Sequence, residues 1–276
     1  ARLVEEDPSL RVHRDPDTAE SILSGLGESH VEIAVEKMRR KFGVDVATAL
    51  PRVSYKETIS LPTKSEFKHK KQTGGHGQYG HVHLELQPLP RGSGFEFGEK
   101  VVGGSVPRNY IPAVAKGVHT ALHEGALAHF PLVDLRVVLT DGSYHAVDSS
   151  DMAFQIAAAQ AVKQGVLKAQ PVLLEPVMEL TVTVPDPLVG DAISDLNTKR
   201  AKVLGMTPDG DHTTITAHAP LAEVQHYAAD LRSITQGRGS FSMAFSHYEE
   251  TPPQVAQRVI DHSRREHGGL AERVAS

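Results

Sequence analysis

Residues 178–188, MELTVTVPDPL, decide how the last third of this chain folds. Met178, Leu180, Val182 and Val184 alternate with polar partners, the period of a strand with one face buried. Asp186-Pro187 then supplies a helix N-cap followed by proline at the first helical position. The helix it starts turns Leu188, Ala192, Ile193 and Leu196 inward. Two extended runs follow, at 202–206 and 213–218, joined by the turn Pro208-Asp209-Gly210-Asp211. A second helix presents Val224, Ala228 and Leu231 and ends at Gly237, and Phe241, Met243 and Phe245 form a closing strand. The order is βαββαβ, the split ferredoxin-like arrangement.

Working outward, the opening segment repeats part of that unit. Residues 11–14 and 21–24 read as short strands about the turn Asp15-Pro16-Asp17. A helix after Gly27 carries Val31, Ala34, Val35, Met38 and Phe42 and stops at Gly43, and Val44-Asp45-Val46 alternates like a strand. This ββαβ lacks a leading strand and most of a first helix, with residues 1–6 reading as that helix's tail, so the sequence is expected to be part of a longer chain. Between the two units, helices are expected at about 109–124 and 150–168, with strands at 81–87, 95–101 and 134–139. A final amphipathic helix is expected from Pro253 to about Glu266, ended by Gly268-Gly269. The fold class is therefore α+β and multi-domain: two ferredoxin-like modules, the first incomplete, flank a further α+β domain, with divisions at 1–50, 51–173 and 174–276.

With 276 residues, of which 39% are hydrophobic and 23% charged, the composition is globular. No apolar run approaches the roughly 18 residues of a membrane span, and residues 1–10 carry no signal-peptide pattern. The absence of cysteine excludes disulfides and thiolate metal sites and fits the cytoplasm. At a net charge of −5 the chain is no polycation, so any nucleic-acid contact is local. One local patch is Lys64, Lys68, Lys70 and Lys71, beside a glycine-rich stretch.

That stretch, Thr73 to His81, holds four glycines between Gly74 and Gly80. They allow close backbone approach while Gln78, Tyr79 and the histidines can hydrogen-bond or stack; a flexible hairpin tip and an RNA-contacting tip fit equally. Neither GxGxxG nor GxxxxGK[ST] occurs. A second loop, Gly142 to Asp151, juxtaposes Ser, His and Asp as a hydrolase does. Ser149, Ser150 and Asp151 are better explained as N-cap and first-turn acid of the following helix, and no GxSxG elbow accompanies them. His69, His76, His81 and His83 raise the question of a metal, but spacing fixes no further ligand and HExxH is absent; solvated surface histidine is the expected account. A third cluster is basic: Lys199, Arg200 and Lys202 after one helix, Arg232 and Arg238 around the end of the other. Cations complement a helix C-terminus, and if both helices lie on one side of the sheet the two groups form a single edge suited to RNA phosphates.

These segments resemble the C-terminal half of bacterial elongation factor G, a translational GTPase, from about Glu5 to Arg258. The stretches that carry the resemblance are Glu5-Glu6-Asp7-Pro8; Ser24-Gly25-Leu26-Gly27-Glu28 with His30 and Glu32; Gly77-Gln78-Tyr79-Gly80-His81-Val82; Gly103-Gly104 with Pro107, Tyr110, Ile111 and Pro112; Gly142-Ser143-Tyr144-His145; Val147-Asp148-Ser149-Ser150; Leu173-Leu174-Glu175-Pro176; and Leu231-Arg232-Ser233.

The resemblance implies that the three divisions are the third (partial), fourth and fifth domains of such a factor. The fourth imitates a transfer-RNA arm and reaches the small-subunit decoding site as transfer and messenger RNA advance. Its RNA-contacting tip would comprise Gly75, His76, Gly77, Gln78, Tyr79, His145 and Asp148, with Gln78 and His145 foremost. The basic edge of Lys199, Arg200, Lys202, Arg232 and Arg238 would face large-subunit RNA. Partners are then the ribosome, transfer RNA and messenger RNA, with no membrane, for a monomer. No cofactor is expected in these residues, GTP and magnesium belonging to a GTPase domain outside them. His76, Ala146, Ser29, Ala201 and Gln236 depart from the family's usual arginine, aspartate, leucine, glycine and lysine. They keep an alternative open: a paralogous or stand-alone protein that recycles or protects ribosomes.

Overall fold

The computed structural model describes residues 2–73 and 76–275. In chain order the elements are α1 (Arg2–Glu6), β1 (Arg11–Arg14), β2 (Ser21–Ser24), α2 (Glu28–Phe42), β3 (Lys56–Ile59), β4 (Thr63–Thr73), β5 (His76–Pro88), β6 (Phe95–Glu99), α3 (Ile111–Glu124), β7 (Leu135–Ser143), α4 (Asp151–Lys168), β8 (Pro171–Pro185), α5 (Val189–Thr198), β9 (Lys202–Asp209), β10 (His212–Pro220), α6 (Leu221–Val224), α7 (Tyr227–Thr235), β11 (Ser240–Glu250) and α8 (Pro253–Ala275). Two compact units divide the chain: residues 1–54 with 176–247, and residues 55–175 with 248–276.

In the first unit the strand order β11-β8-β10-β9 places the first and third strands of the βαββαβ motif at the centre, as the ferredoxin-like arrangement requires. Alternation sets the register: Val182 lies opposite Ile215 and Leu180 opposite Ala217. These residues face Ala192, Leu196, Val224, Tyr227 and Leu231 from the helices, all buried. The Asp186 side chain does not cap the helix. Its carboxylate accepts the Thr213 hydroxyl at 2.7 Å, and the chain reaches α5 through a 3-10 turn at Asp186–Leu188.

The opening segment has a smaller core, in which Leu3, Leu10 and Ala34 are buried with Val4, Leu23, Met38 and Phe42 packed against them. Gly43 closes α2 in the left-handed conformation, φ 65°. Val44-Asp45-Val46 is not a strand. Alternation alone cannot make one without a neighbouring strand, and here β1 and β2 form a two-stranded sheet by themselves. A clasp joins α1, the following loop and α2: His30 Nε2 lies 2.9 Å from Asp7, His30 Nδ1 accepts the Leu26 N–H, and Lys41 pairs with Glu6. Hydrogen bonds from Ser9 and His30 hold the pKa of the Asp7 carboxyl down at about 2.

The second unit is a four-stranded sheet, β4-β5-β7-β6, antiparallel except where β6 runs parallel to β7 across the α3 crossover. Helices α3 and α4 cover one face, burying Val114, Val118, Phe154, Ala158 and Val162 against Val82, Leu84, Leu86 and Val137. Small residues let the layers close: a Cβ on Gly117 would come within 2.2 Å of the Gln155 carbonyl. Beside the sheet, β3 pairs with the first residues of β8. The buried Glu57 carboxylate accepts four backbone N–H groups, from Ala126, Leu127, Ala128 and Phe130, at 2.7–3.0 Å. Helix α8 packs in this unit, with Ser263 donating to the Ala128 carbonyl and Arg264 to that of Leu127. It does not stop at Gly268-Gly269 but continues to Ala275.

Candidate nucleic-acid interface

Two segments meet at one end of the β4–β5 hairpin: the start of β5, and the loop that carries β7 into α4. The Gly77 N–H donates to the Asp148 carboxylate at 3.2 Å, and the Tyr79 N–H to the Asp148 carbonyl at 2.8 Å. Ser149 Oγ donates to the Tyr79 carbonyl at 3.0 Å and accepts the His145 N–H at 2.9 Å. Ser150 caps α4 by accepting the Ala153 N–H, so one serine serves the helix and its neighbour ties the two loops together.

Gln78 and His145 are displayed from this tied junction. Gln78 Oε1 is fixed by His69 Nε2 of β4 at 3.0 Å, a support that sequence reading did not find because it depends on strand register. His145 is exposed on its ring, with Nδ1 3.2 Å from the Asp148 carboxylate and 3.3 and 3.4 Å from the Asp148 and Val147 N–H groups. A ring protonated at Nδ1 bonds the carboxylate; a ring with its lone pair there accepts the amides. The Tyr79 and His145 rings lie 6.3 Å apart, and Lys68 Nζ stands 5.4 Å over the Tyr79 ring. Gly75 lies outside the described residues, and His76 is the first residue of β5.

Two of the four loop glycines are accounted for inside the protein. A Cβ at Gly80 would sit 2.7 Å from the Ala153 backbone, and one at Gly77 2.6 Å from the Asp148 carboxyl carbon. Their smallness packs the loop on α4 and on Asp148, whatever it touches outside.

The basic cluster does not form one edge. Lys199, just past α5, reaches Asp195 at 2.6 Å and Asp230 of α7 at 3.0 Å. Burial works against its charge, but the hydrogen bonds to Asp195 and Asp230 outweigh that and raise its pKa. Arg200 Nε pairs with Glu223 at 2.9 Å. Lys202, Arg232 and Arg238 are exposed, with Arg238 donating to the Thr235 carbonyl. The Lys199 group therefore lies by the start of α7 and Arg238 beyond its end, while Arg232 lies near Gly27 of the opening segment. Tyr227, between Asp195 and Asp230, is fully buried with its hydroxyl lacking a partner among the described residues, and burial first, then those carboxylates, drive its pKa upward.

The comparisons with known proteins follow the same segments. The family description "Elongation factor G, domain IV" matches residues 51–170, "Elongation factor G C-terminus" residues 172–259, and "Elongation Factor G, domain III" residues 1–49. This chain belongs to the elongation factor G family. It is 52% identical over 257 residues to elongation factor G of Aquifex pyrophilus, covering 93% of this chain and 37% of that protein. It is 49% identical over 267 residues to an elongation factor G-like protein of Thermotoga maritima, covering 96% of this chain and 39% of that protein. A crystal structure of a Thermus thermophilus protein superimposes with a TM-score of 0.85 at 44% identity, over 96% of this chain and 39% of that one. The chain thus spans about two fifths of the length of these relatives. No helix among the described residues is long and apolar enough to cross a membrane.

Proposed function

We propose that this part of the factor works on the ribosome, with its tip at the small-subunit decoding site, and promotes the movement of transfer and messenger RNA. The carrying observation is the stapled tip, in which Asp148 and Ser149 bind the start of β5 so that Gln78 and His145 project from one support. Amide, imidazole and phenol groups on a thin, pre-ordered tip can meet bases and 2′-hydroxyls without demanding one sequence. Tying the loops beforehand lowers the entropy lost on contact. Lys202 and Arg238, exposed on the other unit, suit RNA phosphates of the large subunit. GTP and magnesium belong to a GTPase domain outside these 276 residues, and the site of action is the cytoplasm.

The deciding experiment places Gln78→Ala and His145→Ala in the full-length factor. Each should slow single-turnover translocation by up to about 100-fold, the equivalent of ~3 kcal/mol, while ribosome-stimulated GTP hydrolysis stays near its wild-type rate. Unchanged translocation in both variants of an active factor would refute the tip assignment. A second reading, ribosome recycling or protection by a paralogue, is favoured by Ala146 within the tip loop and by a 49% identical relative named elongation factor G-like. A wild-type factor that splits or protects ribosomes but does not translocate would establish it.

A further inference from the structure

Below the tip, on the sheet face opposite the helices, the β4–β5 register gathers three metal-binding side chains. Glu66 lies directly opposite His83, and His81 stands two residues away on the same face. One ligand atom from each of Glu66, His81 and His83 lies within 4.8 Å of the others. The two imidazole rings are 4.6 Å apart, closer than their backbone spacing requires. We propose that Glu66, His81 and His83 form a binding site for a divalent zinc ion, completed by water.

The local geometry suits that ion. Zinc takes imidazole nitrogen at about 2.0–2.1 Å and carboxylate oxygen at about 2.0–2.2 Å in a tetrahedral shell, which sets neighbouring ligand atoms roughly 3.4 Å apart. His83 Nδ1 and the Glu66 oxygen are already 3.2 Å apart. His81 closes the rest of the gap by a small ring movement, from a contact shell of 4.8 Å.

His81 is also oriented as a metal-bound histidine is. Its Nδ1 lies 3.0 Å from Ser143 Oγ, and that oxygen is 2.7 Å from the Tyr79 hydroxyl. When Nδ1–H donates to the serine oxygen, Nε2 carries the lone pair, and such outer partners fix both tautomer and ring direction. The other charges facing the cluster nearly cancel. Asp141 of β7 lies opposite His83, with an oxygen on the Gly142 N–H, while Lys68 of β4 lies opposite His81 with its ammonium over the Tyr79 ring.

An ion here ties β4 to β5 below the tip. Through Ser143 and Tyr79 it bears on the junction that presents Gln78 and His145, since Tyr79 also bonds Asp148 and Ser149 through its backbone. The inference rests on the side-chain cluster alone and stands whether or not the tip meets decoding-site RNA.

The test is calorimetric titration of zinc chloride into the chelator-treated 276-residue chain at neutral pH, with cobalt(II) absorption as the geometric readout. One zinc should bind, and cobalt should give the intense visible bands of a tetrahedral complex. His83→Gln should abolish that site, Ser143→Ala should weaken it about tenfold, and His123→Gln, an exposed histidine on α3, should leave it unchanged. Circular dichroism of each variant checks that the sheet is intact. Absence of zinc binding by the wild-type chain, equal affinity in His83→Gln, or a weak octahedral cobalt spectrum would each overturn the proposal.

Discussion

The tip of the 55–175 unit and the basic cluster of the 176–247 unit solve the problem of holding polar groups for a partner in opposite ways. At the tip the displayed groups are carried by backbone hydrogen bonds, and Gly77 and Gly80 let the segments come close enough to make them. In the basic cluster the side chains of Lys199 and Arg200 are spent on carboxylates of their own unit, leaving Lys202, Arg232 and Arg238 toward solvent. A geometric surface is rigid because its backbone is locked. A charged surface needs only that some cations remain exposed.

The sharpest way to break this contrast is to add a methyl group to each region. Gly80→Ala should destabilise the 55–175 unit by about 1–3 kcal/mol, because the new carbon meets backbone that cannot step aside. Gly205→Ala in β9, which meets nothing within 4 Å, should change thermal stability little. Equal melting temperatures for the two variants would show that the tip is not locked by packing.

A comparable but more local effect is expected from untying the loops. Asp148→Ala removes the acceptor for Gly77, and a lost charged-acceptor bond is worth about 1.5–3 kcal/mol. Amide exchange at Gly77 should then accelerate roughly tenfold or more. Exchange rates in β9 should not move.

Smaller still is the difference between two cations. Arg238→Ala should lower the salt slope of ribosomal RNA binding by about one unit, as one phosphate contact does. Lys199→Ala should lower it by less, because its charge is already balanced by Asp195 and Asp230. A larger slope change for Lys199 would reverse the assignment.

The least effect concerns pH. Burial lowers the His81 pKa below 6.5 in the folded chain. A base whose folded pKa is depressed contributes stability that is fully present above the unfolded value and lost as pH falls through the folded one. His81 should therefore titrate below 6.5 by proton NMR, and His81→Gln should flatten the fall of stability on the acid side of that value. A His81 midpoint above the unfolded value would contradict the buried, His83-flanked setting.

How much of this was legible in the sequence follows from the physics of each signal. Strands β8 and β10 were visible because one-sided burial writes a period of two into Met178–Val184 and its partner, and β11 showed the same period in Phe241, Met243 and Phe245 although the last two are exposed. β4 was hidden, since in Lys64–Lys71 the chain is held by its register with β5 and Phe67 is the one large apolar residue turned inward. The partnership of Glu66 with His83 follows from that same register, as does the support His69 gives Gln78. Val44-Asp45-Val46 had the right alternation and no neighbour. The glycines of the first loop stand out in the sequence, but composition cannot tell a close approach to a partner from a close approach to Ala153.

Glu57 gives the molecule a schedule. Its carboxylate is synthesised first, the four amides that satisfy it arrive about seventy residues later, and the helix side chains Ser263 and Arg264 that grip the same loop come well over a hundred residues after that. While a ribosome is still adding the intervening residues, at roughly 5–20 per second, this acid must stay hydrated, and the 125–130 loop can close around it only after its own residues emerge. Helix α8 then arrives as a latch on a loop already formed, so residues far along the chain complete a shell that Glu57 began.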